Sequence, residues 1–273
     1  MPELQRFGEN GIMYRHWPCE RTRAVLLLVH GMGAHTSRWD FLAKHFAGHG
    51  VASYGIELKG YGRTPERPRG HVDSFDIYYR DILQLLDLAK SENPGKKVFL
   101  LGESMGGLIA YVTACLYPDS FSGLIMISPA FGNAMKFPFS AYLKLLLFVL
   151  FNPQLTIDVP FTSAMCTRDE EYRKIMDANP DEWRQASLKT LMIILFEQLR
   201  SKKLGKRLKI PTLFLIAGKD MVVDKHASQK THNSLGLADK SYIEYPDMHH
   251  ALSIDSGKEK VFKDLLDWVE KRI

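Results

Sequence analysis

Ser104 stands in Gly102-Glu103-Ser104-Met105-Gly106, a Gly-x-Ser-x-Gly pentapeptide. Lys97-Val98-Phe99-Leu100-Leu101 before it is mostly apolar and strand-like, and Leu108 to Tyr117 after it is compatible with a helix. Strand, sharp turn and helix form the setting of a nucleophile elbow, where a strained turn lifts the serine Oγ clear of a sheet. The helix passes close to the strand there, so the flanking residues must be small, and Gly102 and Gly106 meet that need. The helix N-terminus also aims its dipole at chemistry beside the serine. An ordinary tight strand-to-helix turn could carry the same five residues. A serine hydroxyl at its free pKa is a poor nucleophile, so a base is required, together with an acceptor that orients the base. Downstream, the chain offers Asp220 in Gly218-Lys219-Asp220, Asp224 soon after, and His249-His250 following Pro246-Asp247-Met248. Upstream lies a glycine-rich loop, His30-Gly31-Met32-Gly33.

These groups need a scaffold that gathers them. Ala24 to His30, Ala52 to Ile56, Lys97 to Leu101, Gly123 to Ile127 and Thr212 to Ala217 are short, mostly apolar runs of the kind buried on both faces in a parallel sheet. Between them lie stretches with apolar residues at helical spacing: Trp39, Leu42 and Phe46, then Phe75, Tyr78, Ile82, Leu85 and Leu86. Asp73 or Ser74 is placed to cap the second of these helices. Residues 5–20 read as a hairpin turning at Glu9-Asn10-Gly11, and Ser256-Gly257-Lys258-Glu259 reads as a capping box for a final helix. Strands alternating with amphipathic helices predict an α/β fold, a mostly parallel central sheet flanked by helices. The loops that follow its strands then emerge at one edge, which collects His30-Gly31-Met32-Gly33, Ser104, Asp220 and His249-His250, in the order Ser, Asp, His for the last three.

Composition bounds the function. With 273 residues, 45% hydrophobic and 25% charged, the chain can bury a sizeable α/β core with an insertion. The net charge of +5 is scattered, which argues against a nucleic-acid partner and allows weak attraction to an anionic surface. Cys19, Cys115 and Cys166 are far apart and form no Cys-x-x-Cys pattern, so reduced thiols in a cytoplasmic protein are expected. The first ten residues have no apolar signal core, and the longest apolar run, Leu145 to Phe151, is far short of the roughly 20 residues of a membrane span.

The chain resembles the monoacylglycerol lipase and lysophospholipase-like branch of the α/β-hydrolase fold, often grouped as serine aminopeptidase-like hydrolases. The likeness covers nearly the whole length. It rests on Val29 to Trp39, Gly60-Tyr61-Gly62-Arg63-Thr64, Gly102 to Gly107, Ala217-Gly218-Lys219-Asp220, and Pro246 to His250 with Leu252 behind. One departure is the second loop, where Glu57 and Gly60-Tyr61-Gly62-Arg63-Thr64 replace the family's usual Asp and Gly-His-Gly-x-Ser. The resemblance implies Ser104 as nucleophile, Asp220 as the acid that orients the base, and His250 as the base. Asp224 and Asp247 are rival acids and His249 is a rival base. It implies an oxyanion hole from the backbone N–H groups of Met32 and Met105, a structural rather than catalytic His30, and no metal or cofactor. His35, His71 and His226 have no partner pattern and are expected on solvated surface.

Residues 130–209 break the alternation and read as a helical cap inserted into a core made of residues 1–129 and 210–273. Within it, Tyr142 to Phe151 is apolar nearly all round, with Lys144 its one charge, and Thr190 to Leu199 forms a second apolar patch. Arg168 to Arg184 between them is charged and compatible with a helix. The run from Phe137 to Phe151 exceeds what one buried helix face needs. It either packs onto the core or walls an apolar tunnel, with an outer face that touches a membrane or micelle surface transiently. The expected substrate is a small ester, foremost a monoacyl lipid such as a monoacylglycerol or lysophospholipid. Short-chain or cinnamoyl and feruloyl esters are the alternative, and a non-catalytic ligand-binding protein of the same fold is a further one.

Overall fold

The computed structural model describes residues 1–136 and 138–273, so Phe137, the first residue of the apolar run noted above, lies outside the described residues. The chain opens with an antiparallel hairpin of β1 (Gln5–Phe7) and β2 (Ile12–Trp17). β3 (Ala24–Val29), α1 (Asp40–Ala47), β4 (Val51–Glu57), α2 (Asp76–Glu92), β5 (Lys97–Glu103), α3 (Met105–Leu116) and β6 (Gly123–Ile127) alternate after it. Next come α4 (Phe139–Phe151), β7 (Thr156–Asp158), α5 (Ser163–Cys166), α6 (Glu170–Ala178), β8 (Gln185–Ser187) and α7 (Leu188–Leu204). The alternation resumes with β9 (Thr212–Ala217), α8 (Lys225–Ser234), β10 (Lys240–Tyr245) and α9 (Lys258–Glu270).

Eight strands form one sheet in the order β1-β2-β4-β3-β5-β6-β9-β10. The β1–β2 and β2–β4 pairs are antiparallel, and the other five are parallel. All six residues of β3 are buried, which is why its sequence is apolar without alternation. Val25, Leu27 and Val29 join a core with Tyr78, Ile82 and Leu85 of α2 and Leu108 and Val112 of α3. Ala24, Leu26 and Leu28 enter a second core on the opposite face, with Trp39, Leu42 and Phe46 and with Val261, Leu265 and Trp268 of α9. Helices on both faces leave only the strand ends open for a site.

Two local expectations are corrected. The capping box before α9 does not form: the helix starts after Gly257 in a left-handed conformation (φ 95°), with no side-chain cap bond. The charged stretch from Arg168 to Arg184 is helical only over α6, whose N-cap Asp169 accepts the Tyr172 N–H. Ahead of α2, Ser74 rather than Asp73 meets a helix N–H, that of Asp76 at 3.1 Å, while Asp73 pairs with Lys189 at 2.7 Å.

Residues between β6 and β9 lie off the main sheet, where β7 and β8 make their own two-stranded pair. α7 packs on α3, and α4 packs on α7. Polar bonds fasten this segment to the loops after β3 and β4: Trp183 N–H to Gly33 O at 2.9 Å and Ser187 N–H to Gly70 O at 3.0 Å. His35 and His71 belong to the same seam, against the expectation of solvated surface. His71 is buried with Nδ1 2.8 Å from Ser187 Oγ, and buried His35 lies with Nε2 3.1 Å from Asn179 Nδ2. His226 is exposed. Among the described residues no helix is long and apolar enough to cross a membrane.

Candidate active site

Ser104 follows the last residue of β5 and precedes α3, with φ 58° and ψ −122°. A non-glycine residue at positive φ costs on the order of 1–3 kcal/mol and persists only when its surroundings enforce it. Here they do. The Ser104 N–H donates to Ile127 O at 2.9 Å, and its carbonyl accepts the N–H groups of Leu108 and Ala130 at 3.2 and 3.0 Å. The flanking glycines are required by contact: a Cβ on Gly102 would lie 2.1 Å from Gly106 O, and one on Gly106 would lie 2.2 Å from Val29 O.

His250 follows β10 and is 5% exposed. Its Nδ1 lies 2.8 Å from Asp220 Oδ2. A carboxylate only accepts, so Nδ1 carries the proton and Nε2 is the ring atom left to take another. The other carboxylate oxygen of Asp220 accepts the N–H groups of Val222 and Val223 at 2.8 and 2.9 Å, which fixes the acid's orientation. Burial lowers the His250 pKa, but Asp220 outweighs it, and with Glu103 beyond it the imidazole is left above its ordinary value; Arg38 acts in the opposite sense. The rival groups are engaged elsewhere. Asp224 caps α8 through the His226 N–H at 2.9 Å, Asp247 pairs with Lys219 at 2.8 Å on the surface, and His249 Nδ1 meets Ala164 O at 3.0 Å.

The loop after β3 comes up beside the serine, and a Cβ on Gly31 would stand 3.0 Å from Ser104 Cβ. His30 is buried in this loop, where its Nε2 accepts the Leu58 N–H at 3.0 Å. That bond leaves the proton on Nδ1, which donates to Gly31 O at 2.8 Å. Burial, against the pull of Glu57, drops the His30 pKa to about 4, so the ring stays neutral. Because C=O and N–H point oppositely across a trans peptide, holding Gly31 O toward His30 turns the Met32 N–H away from it. Glu57 braces the same region by accepting Thr36 N–H at 2.7 Å and Arg63 N–H at 3.0 Å.

Ser104, His250, Met32 and Met105 line one cavity of about 70 Å³, with Glu103, Arg38 and Cys166 on its wall. A second cavity of about 590 Å³ is lined by Met135, Leu145, Phe148, Val159, Leu191 and Leu195 among others. Met32, Asn133, Phe161, Ile194 and Val222 line both, so the two spaces adjoin.

Sequence reasoning missed Arg38 and Glu182. Arg38 is buried and holds Glu182 by two bonds, Nε to Oε1 at 2.7 Å and Nη2 to Oε2 at 2.5 Å. Burial would raise the Glu182 carboxyl, but Arg38 and His35 hold it at about 2. Arg38 lay inside the motif Val29 to Trp39, yet nothing in the sequence paired it with an acid 144 residues away.

The geometry has parallels among known proteins. Residues 20–257 match the family profile described as serine aminopeptidase, S33. Human monoglyceride lipase is 30% identical over 100% of this chain and 91% of its own length. Phospholipase YtpA of Bacillus subtilis is 29% identical over 90% of this chain and 95% of its own. A solved structure of Saccharomyces cerevisiae monoglyceride lipase with a substrate analogue superposes with a TM-score of 0.88 at 25% identity, covering 99% of this chain and 96% of that one. The chain therefore belongs to the serine aminopeptidase S33 family of α/β-hydrolases.

Proposed function

We propose that this chain is a serine hydrolase that cleaves monoacyl lipid esters, a monoacylglycerol or a lysophospholipid, through an acyl-enzyme on Ser104. One observation carries the substrate class: the small cavity at Ser104 and His250 shares walls with an apolar cavity of about 590 Å³. That volume falls within the roughly 300–1,000 Å³ of small-ligand sites, and its lining suits one acyl chain. Relatives named monoglyceride lipase and phospholipase support the same class.

In this reading His250 Nε2 takes the proton as Ser104 Oγ attacks the ester carbonyl, and Asp220 steadies the imidazolium. The N–H groups of Met32 and Met105 receive the oxyanion, each such donor contributing on the order of 3 kcal/mol. His250 then protonates the leaving alcohol and activates water against the acyl-enzyme. No step calls for a metal or cofactor. Residues 130–209 serve as the cap over the acyl cavity, and the exposed apolar face of α4 meets a lipid or micelle surface. Support for that contact is the exposure of Phe139, Leu150 and Phe151, which are 81%, 72% and 84% exposed.

The test compares nitrophenyl esters of short and long acyl length with monoacylglycerol, lysophospholipid and methyl ferulate. Long monoacyl esters should be turned over fastest. A preference for methyl ferulate or for the shortest ester rejects the lipid reading, and turnover that survives Ser104→Ala rejects the nucleophile.

A further inference from the structure

Glu103 sits between Gly102 and Ser104 and is 4% exposed, on the wall of the cavity that holds Ser104 and His250. The mechanism above gives it no task. Its Oε1 accepts the Ser253 hydroxyl at 3.0 Å and the Ser253 N–H at 3.4 Å. Ser253 is fully buried and follows His250 by three residues. One carboxylate thus joins the end of the strand that presents the nucleophile to the loop that presents the base. A buried carboxylate is costly unless bonds and charges compensate it. A glutamine at this position could accept the same Ser253 bonds without that cost. The charge therefore calls for a reason beyond the hydrogen bonds. The Arg38 guanidinium on the same wall is already held by Glu182 through two bonds. The group beside Glu103 whose charge changes during the proposed reaction is His250.

We infer that Glu103 is a positioning residue for His250: through Ser253 it fixes the histidine loop against the nucleophile's strand, and its carboxylate steadies the imidazolium formed when Ser104 gives up its proton. The inference rests on the reading of Ser104, Asp220 and His250 as a triad. The charged and titratable groups facing His250 are Asp220 from the loop after β9, Glu103 from β5 and Arg38 from the turn after β3, with the Cys166 thiol of α5 on the shared wall. Burial lifts the Glu103 carboxyl above the usual carboxylate range, while His250, Arg38 and Ser253 act to lower it. Asp220 and Glu103 act on His250 in the same sense, and Arg38 opposes them.

Two substitutions separate the tie from the charge. Glu103→Gln keeps an acceptor for Ser253 and removes the negative charge. The acidic limb of kcat/KM on a soluble nitrophenyl ester should move to lower pH by about half a unit, because an anion lost beside an imidazole lowers its pKa. The plateau kcat should fall about threefold to tenfold, with KM changed less than about twofold. Ser253→Ala keeps the charge and removes the hydroxyl tie. Its limb should stay in place while kcat falls about threefold. Proton NMR titration of the His250 ring in a Ser104→Ala background, with and without Glu103→Gln, reads the same shift without turnover and stays decisive if a variant is poorly active. An imidazole titration unmoved by Glu103→Gln overturns the electrostatic role. An unchanged kcat in Ser253→Ala overturns the tie. Ester turnover that survives Ser104→Ala instead rejects the triad on which the inference stands, a result distinct from both.

Discussion

The strand ends of the sheet and the helix α4 are stabilised in opposite ways. At the strand ends Ser104, Asp220 and His250 are each fixed by directed bonds, and Asp220 accepts three within 2.9 Å. In α4 only Val149 is buried, while Phe139, Leu143, Leu146, Leu147, Phe148, Leu150 and Phe151 are 48–84% exposed. A contiguous apolar face of this kind is uncommon on a water-facing helix. The first region is held against the protein itself, so changes there should alter chemistry or folding. The second is held against little, so changes there should leave stability alone and alter what the protein touches.

The sharpest break of that contrast is Ser104→Ala. Ester turnover should fall by about 10⁴-fold or more with an unchanged thermal transition, measured by steady-state kinetics and calorimetry. Next in size is Gly106→Ala. Its Cβ would meet Val29 O at 2.2 Å and His30 O at 2.5 Å, so the loop after β3 must move. A loss of about 3 kcal/mol in denaturant unfolding is expected, with kcat falling more than KM changes. Glu182→Gln leaves Arg38 buried without its counter-charge and should cost about 3 kcal/mol at neutral pH. The sign with pH is fixed: the Glu182 carboxyl is depressed to about 2, so its contribution is full above the unfolded carboxylate value and is lost as pH falls toward about 2. Wild type and variant should therefore converge in acid-unfolding curves below about pH 4.3. The smallest effect on stability belongs to Leu150→Ser with Phe151→Ser, at 72% and 84% exposure, which should shift unfolding by less than about 0.5 kcal/mol. The pair should leave turnover of a soluble short ester intact and slow hydrolysis of monoacylglycerol presented in vesicles several-fold. Equal turnover on vesicles would erase the distinction between the two regions.

Much of the sheet was legible because burial on both faces leaves a plain mark. The run Ala24 to Val29 is apolar at every position and every residue is buried. The elbow was legible because close backbone approach admits only glycine: Gly102 faces the Gly106 peptide, and Gly106 faces those of Val29 and His30. The caps were less so. Ser256 to Glu259 has the composition of a capping box, yet the left-handed Gly257 starts α9 without one. A local pattern states which bonds are available, and the approach of the chain selects among them. The seam between the sheet and residues 130–209 was illegible for a different reason. His35, His71, Arg38 and Glu182 are bonded across sequence separations of 116 to 144 residues, and no periodicity records a partner so distant. Asp220 was preferred over Asp224 on the family resemblance, and the coordinates place Asp220 against His250 while Asp224 caps α8.

The bond from the Trp183 N–H to Gly33 O has a mechanical consequence. With Glu182 bonded to Arg38 and Ser187 to Gly70, the stretch from Glu182 to Ser187 is riveted to the loops after β3 and β4, the first of which carries Met32. A flap hinged there would drag the Met32 loop with it each time it opened. α4 packs on α7 and lines the apolar cavity, so movement of α4 need not move the Met32 loop. Amide exchange should display this directly, with α4 exchanging through local fluctuations and the Trp183 and Ser187 amides only when the whole domain unfolds.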